Sequence, residues 1–179
     1  MAESFSNSLT RAVGIVTSSS NASIGVGLTW MSGISTAHVA INDLVDNSNF
    51  IAGTKVTLVG VSSVQLDRAS TNTVAATASN VSFLGPTTSF TSGASEKSIL
   101  IGGTFANNTA NSVNLTVSVY DNSGGAEAAI ASKIPVPTGS SFVISDAGKT
   151  VLEASDQVRV YCDTDSAIDV NLSILKGVS

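Results

Sequence analysis

At 179 residues the chain has room for one domain of ordinary size or two small ones, and either can bury a core. Charged residues make up 12% of it against 42% apolar, so its surface is built mainly from neutral Ser, Thr, Asn and Gly. Eight basic residues against thirteen acidic, a net charge of −5, come without any Lys/Arg cluster that could track a phosphate backbone, which argues against a nucleic-acid partner.

Apolar residues three and four apart over ten or more positions would mark helices, and here period two recurs instead. The reading is an all-β protein. In chain order the strand candidates of the first half are Val13 to Val16, Ile24 to Leu28, Val39 to Val45, Val56 to Val61, Val64 to Asp67 and Asn80 to Leu84. A short helix across His38 to Asp46 is the second choice for its stretch, because Val39 and Ile41 are β-branched. At Gly85-Pro86 and the small hydroxyls up to Gly93 both patterns are interrupted, which sets the expected boundary.

Beyond it, Ser98 to Ile101 runs apolar on both faces, as a strand covered on both sides would. Leu115, Val117 and Val119 alternate with Thr116, Ser118 and Tyr120; Val158, Val160 and Cys162 with Arg159 and Tyr161; Ile168, Val170, Leu172 and Ile174 with Asp169, Asn171 and Ser173. Each such strand is expected to turn one face to a core and the other to water or a partner. Turn signals fall between them at Asn107 to Asn111, Asp121 to Gly125, Pro135 to Gly139, Asp146 to Gly148 and Asp163 to Ser166. Residues 97 to 175 thus hold about seven strands, enough for two packed sheets. The expectation is two small β-modules, 1–85 and 86–179, the second a β-sandwich. An alternative keeps the N-terminal strand with the second module and treats roughly residues 25 to 80 as an insertion in it.

Little in the chain could do chemistry. His38 is the only histidine, no Gly-x-Ser-x-Gly elbow occurs, and no spacing proposes a carboxylate pair. His38 reads as a surface or loop histidine. The single cysteine, Cys162, sits on the apolar side of its strand and reads as a buried, inert thiol. Asp163, Asp165 and Asp169 faintly suggest a calcium loop, but Asp opens β-turns by bonding its own backbone, and a turn is the reading preferred. No metal site, cofactor or catalytic residue is expected. Trp30, Tyr120 and Tyr161 are the aromatics that a carbohydrate or partner contact would use, since both tyrosines occupy polar-face positions.

No apolar run reaches the eighteen or so residues of a membrane-spanning helix. The start, Met1 to Asn7, lacks a basic segment and an apolar block, so no export signal and no membrane are expected.

The stretches "SILIGGTFANNTANSVNLTVSVYD", "IPVPTGSSFVI" and "GKTVLEASDQVRVYCDTDSAIDVNLSIL", within Ser98 to Ser179, resemble a small β-sandwich module of virion structural proteins of tailed bacteriophages, marine and cyanobacterial phages among them. The segment "GISTAHVAINDLVDNSNFIAGTKVTLVGVSSVQLDRASTNT" resembles a second module familiar from phage and surface-exposed proteins. The resemblance implies a non-enzymatic role in a virion assembled in the host cytoplasm, with copies of the chain and capsid or neck and tail proteins as partners. A capsid decoration or neck and tail accessory protein is preferred to a major capsid protein. The alternative is a receptor- or carbohydrate-binding module of a fibre or spike, with a host surface glycan as partner. Because the first half alternates less cleanly, residues 87–179 are expected to fold alone and residues 1–84 to be poorly ordered by themselves.

Overall fold

The structure, a computed structural model, describes residues 3–145 and 149–178. Among these residues there are strands and turns and no helix, as an all-β reading requires. In chain order the strands are β1 (Ser4–Val13), β2 (Ile15–Ile24), β3 (Trp30–Ser32), β4 (Leu44–Asp46), β5 (Val56–Val59), β6 (Ser63–Leu66), β7 (Ala76–Gly85) and β8 (Thr87–Thr91). There follow β9 (Lys97–Asn107), β10 (Val113–Asp121), β11 (Ala126–Val136), β12 (Ser141–Ile144), β13 (Thr150–Leu152), β14 (Gln157–Cys162) and β15 (Ile168–Val178). The turn read at Asp146 to Gly148 lies outside the described residues.

Two compact units result, one of Met1–Gly14 with Thr87–Ser179 and one of Ile15–Pro86. The downstream boundary falls next to the one expected at residue 85, but the division into 1–85 and 86–179 needs correction at the N-terminus. There β1 runs antiparallel to β15, from Ser4 opposite Lys176 to Val13 opposite Ile168, and so completes the C-terminal unit. Residues 15–86 are an insertion within that unit's sequence. Neither fragment expected above, 87–179 or 1–84, respects this division.

The larger unit is a sandwich of two antiparallel sheets, β1-β15-β9-β12 with β13 also on β9, and β11-β10-β14-β8. Its pairing is nested. β1 pairs with β15, β8 with β14, β9 with β12 and then β13, and β10 with its hairpin partner β11. β12 and β13 follow one another along β9, opposite Gly103 to Ala106 and then Ser98 to Leu100, and act as one interrupted strand. Pairing of β15 with β9 and of β14 with β10 gathers the nested pairs into two sheets. Four strand pairs rolled up in this way are a jelly roll; the seven strands expected from residue 97 on are β9 to β15, and β1 and β8 join them from upstream.

The period-two pattern explains the core. Leu115 and Val117, Val158, Val160 and Cys162, and Ile168, Val170, Leu172 and Ile174 all point between the sheets, where they meet Leu100, Phe105 and Leu152. Full burial of each large aliphatic or aromatic side chain is worth roughly 1.5–3 kcal/mol. Turns are held by side chains: Asn107 donates to the carbonyls of Asn111 and Val136 at 2.7 and 2.8 Å, and Asp121 accepts from the Ser123 and Gly124 amides at 2.8 and 2.9 Å. At Gly14, where the chain leaves the sandwich, φ is +129°, and a Cβ would lie 2.0 Å from the Thr164 carbonyl oxygen. Only glycine allows that approach.

The inserted unit is one six-stranded sheet, β4-β7-β2-β3-β6-β5, that closes on itself. Leu44 bridges Lys55, and the amides of Asn42, Val45 and Val56 bond the carbonyls of Val56, Thr54 and Asp43. A barrel of this kind leaves few free edges. Its interior holds Ile24, Met31, Val45, Val56, Val64, Leu66, Val81 and Phe83. Two stretches differ from expectation. The candidate strand Ile24 to Leu28 ends at Ile24, because Gly27 turns the chain at φ +65°. Neither a strand over Val39 to Val45 nor a helix over His38 to Asp46 forms in full: His38 and Asn42 adopt left-handed φ of 66° and 76°, which interrupt both, and only Leu44–Asp46 is strand.

Candidate functional site

The outward face of the β11-β10-β14-β8 sheet carries the strongest polar cluster. Because Val117, Val119, Val158 and Val160 point inward, Ser118 and Tyr120 on β10 and Gln157, Arg159 and Tyr161 on β14 point outward, with Glu127 of β11 opposite Tyr120. Glu127 accepts hydrogen bonds from the Ser118 hydroxyl, from the Tyr161 hydroxyl at 2.8 Å and from Nη1 of Arg159 at 3.3 Å. The Arg159 guanidinium also donates through Nε to Gln157 at 2.9 Å and lies 3.7 Å from the centre of the Tyr120 ring. Side-chain exposure is 3% for Glu127 and 13% for Arg159, so the pair is largely desolvated.

This arrangement corrects the outward-facing role read for Tyr161, which is 1% exposed and cannot contact a glycan or a partner. Burial, then the charge of Glu127, push its phenol well above the usual tyrosine range. Tyr120 is half-buried beneath Arg159. Trp30 is 45% exposed on β3 and belongs to the inserted unit. Tyr120 and Tyr161 therefore offer no open stacking platform on this sheet. With its oxygens saturated by a guanidinium and two hydroxyls, the Glu127 carboxylate ties β11, β10 and β14 together rather than serving as a free acid or base. Sequence reading missed it because Glu127, in Gly-Gly-Ala-Glu-Ala-Ala, shows no periodic signal.

The other residues singled out by sequence take structural places. His38 is exposed in a turn, its carbonyl accepting from Thr17 at 3.3 Å. Cys162 is buried, and burial pushes its thiol up to about 11. The stretch Asp163 to Ser166 is a turn; Asp163 accepts from the Asn114 amide and side chain at 2.9 and 2.7 Å, and Asp169 from the Ala12 amide at 2.9 Å, so both carboxylates tether neighbouring strands.

The outward face of the β1-β15-β9 sheet is of a different kind. Phe5, Leu175, Ile99 and Val151 stand opposite one another across four strands, an apolar row on the side away from the core. Leu9, Asn171, Thr104 and Val143 form a second row, separated from the first by Asn7, Ser173 and Gly102. Phe5 is 79% and Leu9 73% exposed, and Val143 and Val151 are each 55% exposed. Arg11 with Asp169 at one end and Lys97 with Glu153 at the other supply the charges, with Glu3 just before β1; the outward strand positions between the two ends are uncharged, and Lys176 of β15 lies instead with its ammonium 5.5 Å from the Phe90 ring centre. Ile99 and Ile101 are thus the outward half of the doubly apolar stretch noticed in sequence, and here they are half-buried rather than covered. The signal for Phe5 and Leu9 was present as alternation with Ser6, Ser8 and Thr10. There the hydroxyls point inward, those of Ser8 and Thr10 bonding the Ser89 carbonyl, and the apolar side chains point out.

No protein-family model matches the chain, and no curated protein matches it. Among solved structures, the VP2 subviral particle of infectious bursal disease virus aligns at 13% identity and a TM-score of 0.35, over 97% of this chain and 55% of that one. A T13 particle of the same virus aligns at 10% identity and 0.36, over 97% and 69%. An isomalto-dextranase of Arthrobacter globiformis T6, complexed with panose, aligns at 11% identity and 0.24, over 90% and 34%. The chain spans about half the length of the VP2 chain.

Proposed function

We propose that this chain is a non-enzymatic structural component of a virion. The observation that carries the reading is the sheet face of β1, β15, β9, β12 and β13. Its outward positions are uncharged between its two ends, and Phe5 and Leu9 stand there about three-quarters exposed. Exposed apolar rows on an otherwise neutral face are a surface that gains by being covered. Covering it buries no unpaired charge, so copies or neighbouring subunits can pack there without the penalty of a desolvated ion. Jelly rolls serve as capsid and lectin domains, an analogy that bears on architecture and not on activity.

The resemblance of residues 98–179 to tailed-phage virion modules supports a finer form of the reading. In it the chain is a capsid decoration or a neck and tail accessory protein, assembled in the host cytoplasm with copies of itself and with capsid or tail proteins. The glycan-binding alternative keeps Trp30 and loses Tyr161, which is buried. Quantitative mass spectrometry of purified particles tests the proposal. A fixed number of copies per particle supports it; a chain found only in the soluble fraction of the lysate rules it out.

A further inference from the structure

A sheet edge is a template for another strand unless something blunts it. Three of the four edges of the sandwich are blunted. β11 carries Pro135 opposite Asn114, register shifts along β10 and a left-handed Lys133 at φ 50°. β8 is five residues long and irregular between its pairings with Val158 and Arg159. β12 and β13 are two short pieces. The fourth edge, β1, stays in unbroken register with β15 from Ser4 to Thr10 and contains no Pro and no Lys.

The outward side chains of this strand and its approach read Glu3, Phe5, Asn7, Leu9 and Arg11, all exposed, and the order is complementary to its own reverse. Laid antiparallel about a two-fold axis at Asn7, one copy sets Phe5 opposite Leu9 and Glu3 opposite Arg11 of the next. Asn7 then meets Asn7, and the other pairings each occur twice. The apolar and the charged pairs both join side chains that favour one another across neighbouring strands. The Arg11 side chain is 90% exposed and reaches Asp169 of its own chain only at 3.8 Å, which leaves its donors available to a second carboxylate. Alternation is kept, because pairs about this axis are odd with odd and even with even, so both outward faces stay on one side.

We infer that β1 is a homotypic docking strand: two copies of the chain pair edge to edge, antiparallel about Asn7, and join their sheets into one. The apolar row Phe5, Leu175, Ile99 and Val151 of each copy then runs on into the Leu9 row of the other. This deepens the proposed function and rests on it only in taking assembly with copies as the chain's work.

Asn7→Cys in the full chain tests the geometry. Directly opposed residues of antiparallel strands have Cα atoms about 4.5–5.5 Å apart, within disulfide range. N7C should give a disulfide-linked dimer on mild oxidation, and N171C, exposed on the same face one strand further in, should not. By sedimentation, Glu3→Arg and Arg11→Glu should each weaken self-association about tenfold, through two symmetry-related pairs, and the double swap should restore it. Self-association unaltered by either single change, or an N7C oligomer that does not cross-link, overturns the inference. The two readings separate. Particles that incorporate the N7C chain without forming its cross-link refute the edge pairing alone, whereas a cross-linked N7C dimer that never enters particles upholds it and refutes the virion role.

Discussion

Glu127→Ala tests whether the outward polar cluster is a structural clamp. The substitution removes the acceptor shared by the Ser118 and Tyr161 hydroxyls and by Arg159. Tyr161 is 1% exposed, so its hydroxyl would keep Arg159 but lose the acceptor of its own proton, at a cost of roughly 1–3 kcal/mol. Breaking a buried ion pair costs about 3–5 kcal/mol, and the lower end applies here. Arg159 is 13% exposed and keeps Gln157 and the Tyr120 ring. A loss of about 3 kcal/mol should lower the urea midpoint by about 1.5 M at a slope of roughly 2 kcal/mol/M. Glu127→Gln retains an acceptor oxygen and should lose about half as much. Far-UV circular dichroism of the two variants in urea measures both. A shift under about 0.3 M for Glu127→Ala, at unchanged slope, would show that water replaces the carboxylate freely and that the cluster anchors nothing.

Tyr161 gives the same cluster a pH signature: its phenol titrates above its unfolded value of about 10, so the native state holds a proton that the unfolded chain releases. Its contribution is fully present below pH 10 and is lost as pH rises beyond it, and Tyr161→Phe should flatten that alkaline loss in urea titrations. Gly14→Ala forces a Cβ against the Thr164 carbonyl at a positive φ and should lower the melting temperature by about 5–10 °C, a loss of roughly 2–3 kcal/mol. A fragment of residues 87–179 lacks β1 and exposes β15 along its length, so it should aggregate or melt without cooperativity. Joining residues 1–14 to 87–179 through a flexible linker should recover a cooperative transition by calorimetry.

The strands legible in the sequence were those whose alternation puts apolar residues inward, β10, β14 and β15 above all, since period two maps directly onto a core face. Strand β8 lay hidden in a stretch read as a linker, because Thr, Ser and Phe there look like loop composition. Strand β1 escaped because its inward side is Ser6, Ser8 and Thr10 and its apolar side faces out, the reverse of the usual code. Nested pairing over more than 150 residues, as between Ser4 and Lys176, leaves no local trace at all. In the inserted unit the strands are short, and closure of the barrel does part of the work that a long alternating pattern does elsewhere. Of the candidate aromatics, Tyr161 was placed on the right side of its strand, but sequence could not show that Glu127 and Arg159 bury that side.

The proposed role makes this chain a built-in part of a virus particle. Cryo-electron microscopy of purified particles tests it most directly. The maps should show ordered, symmetry-related copies of the eight-stranded sandwich, with the Phe5 and Leu9 face covered by a neighbouring subunit. Particles complete in every position yet without density for the sandwich, from preparations in which the chain stays in the lysate, would contradict it.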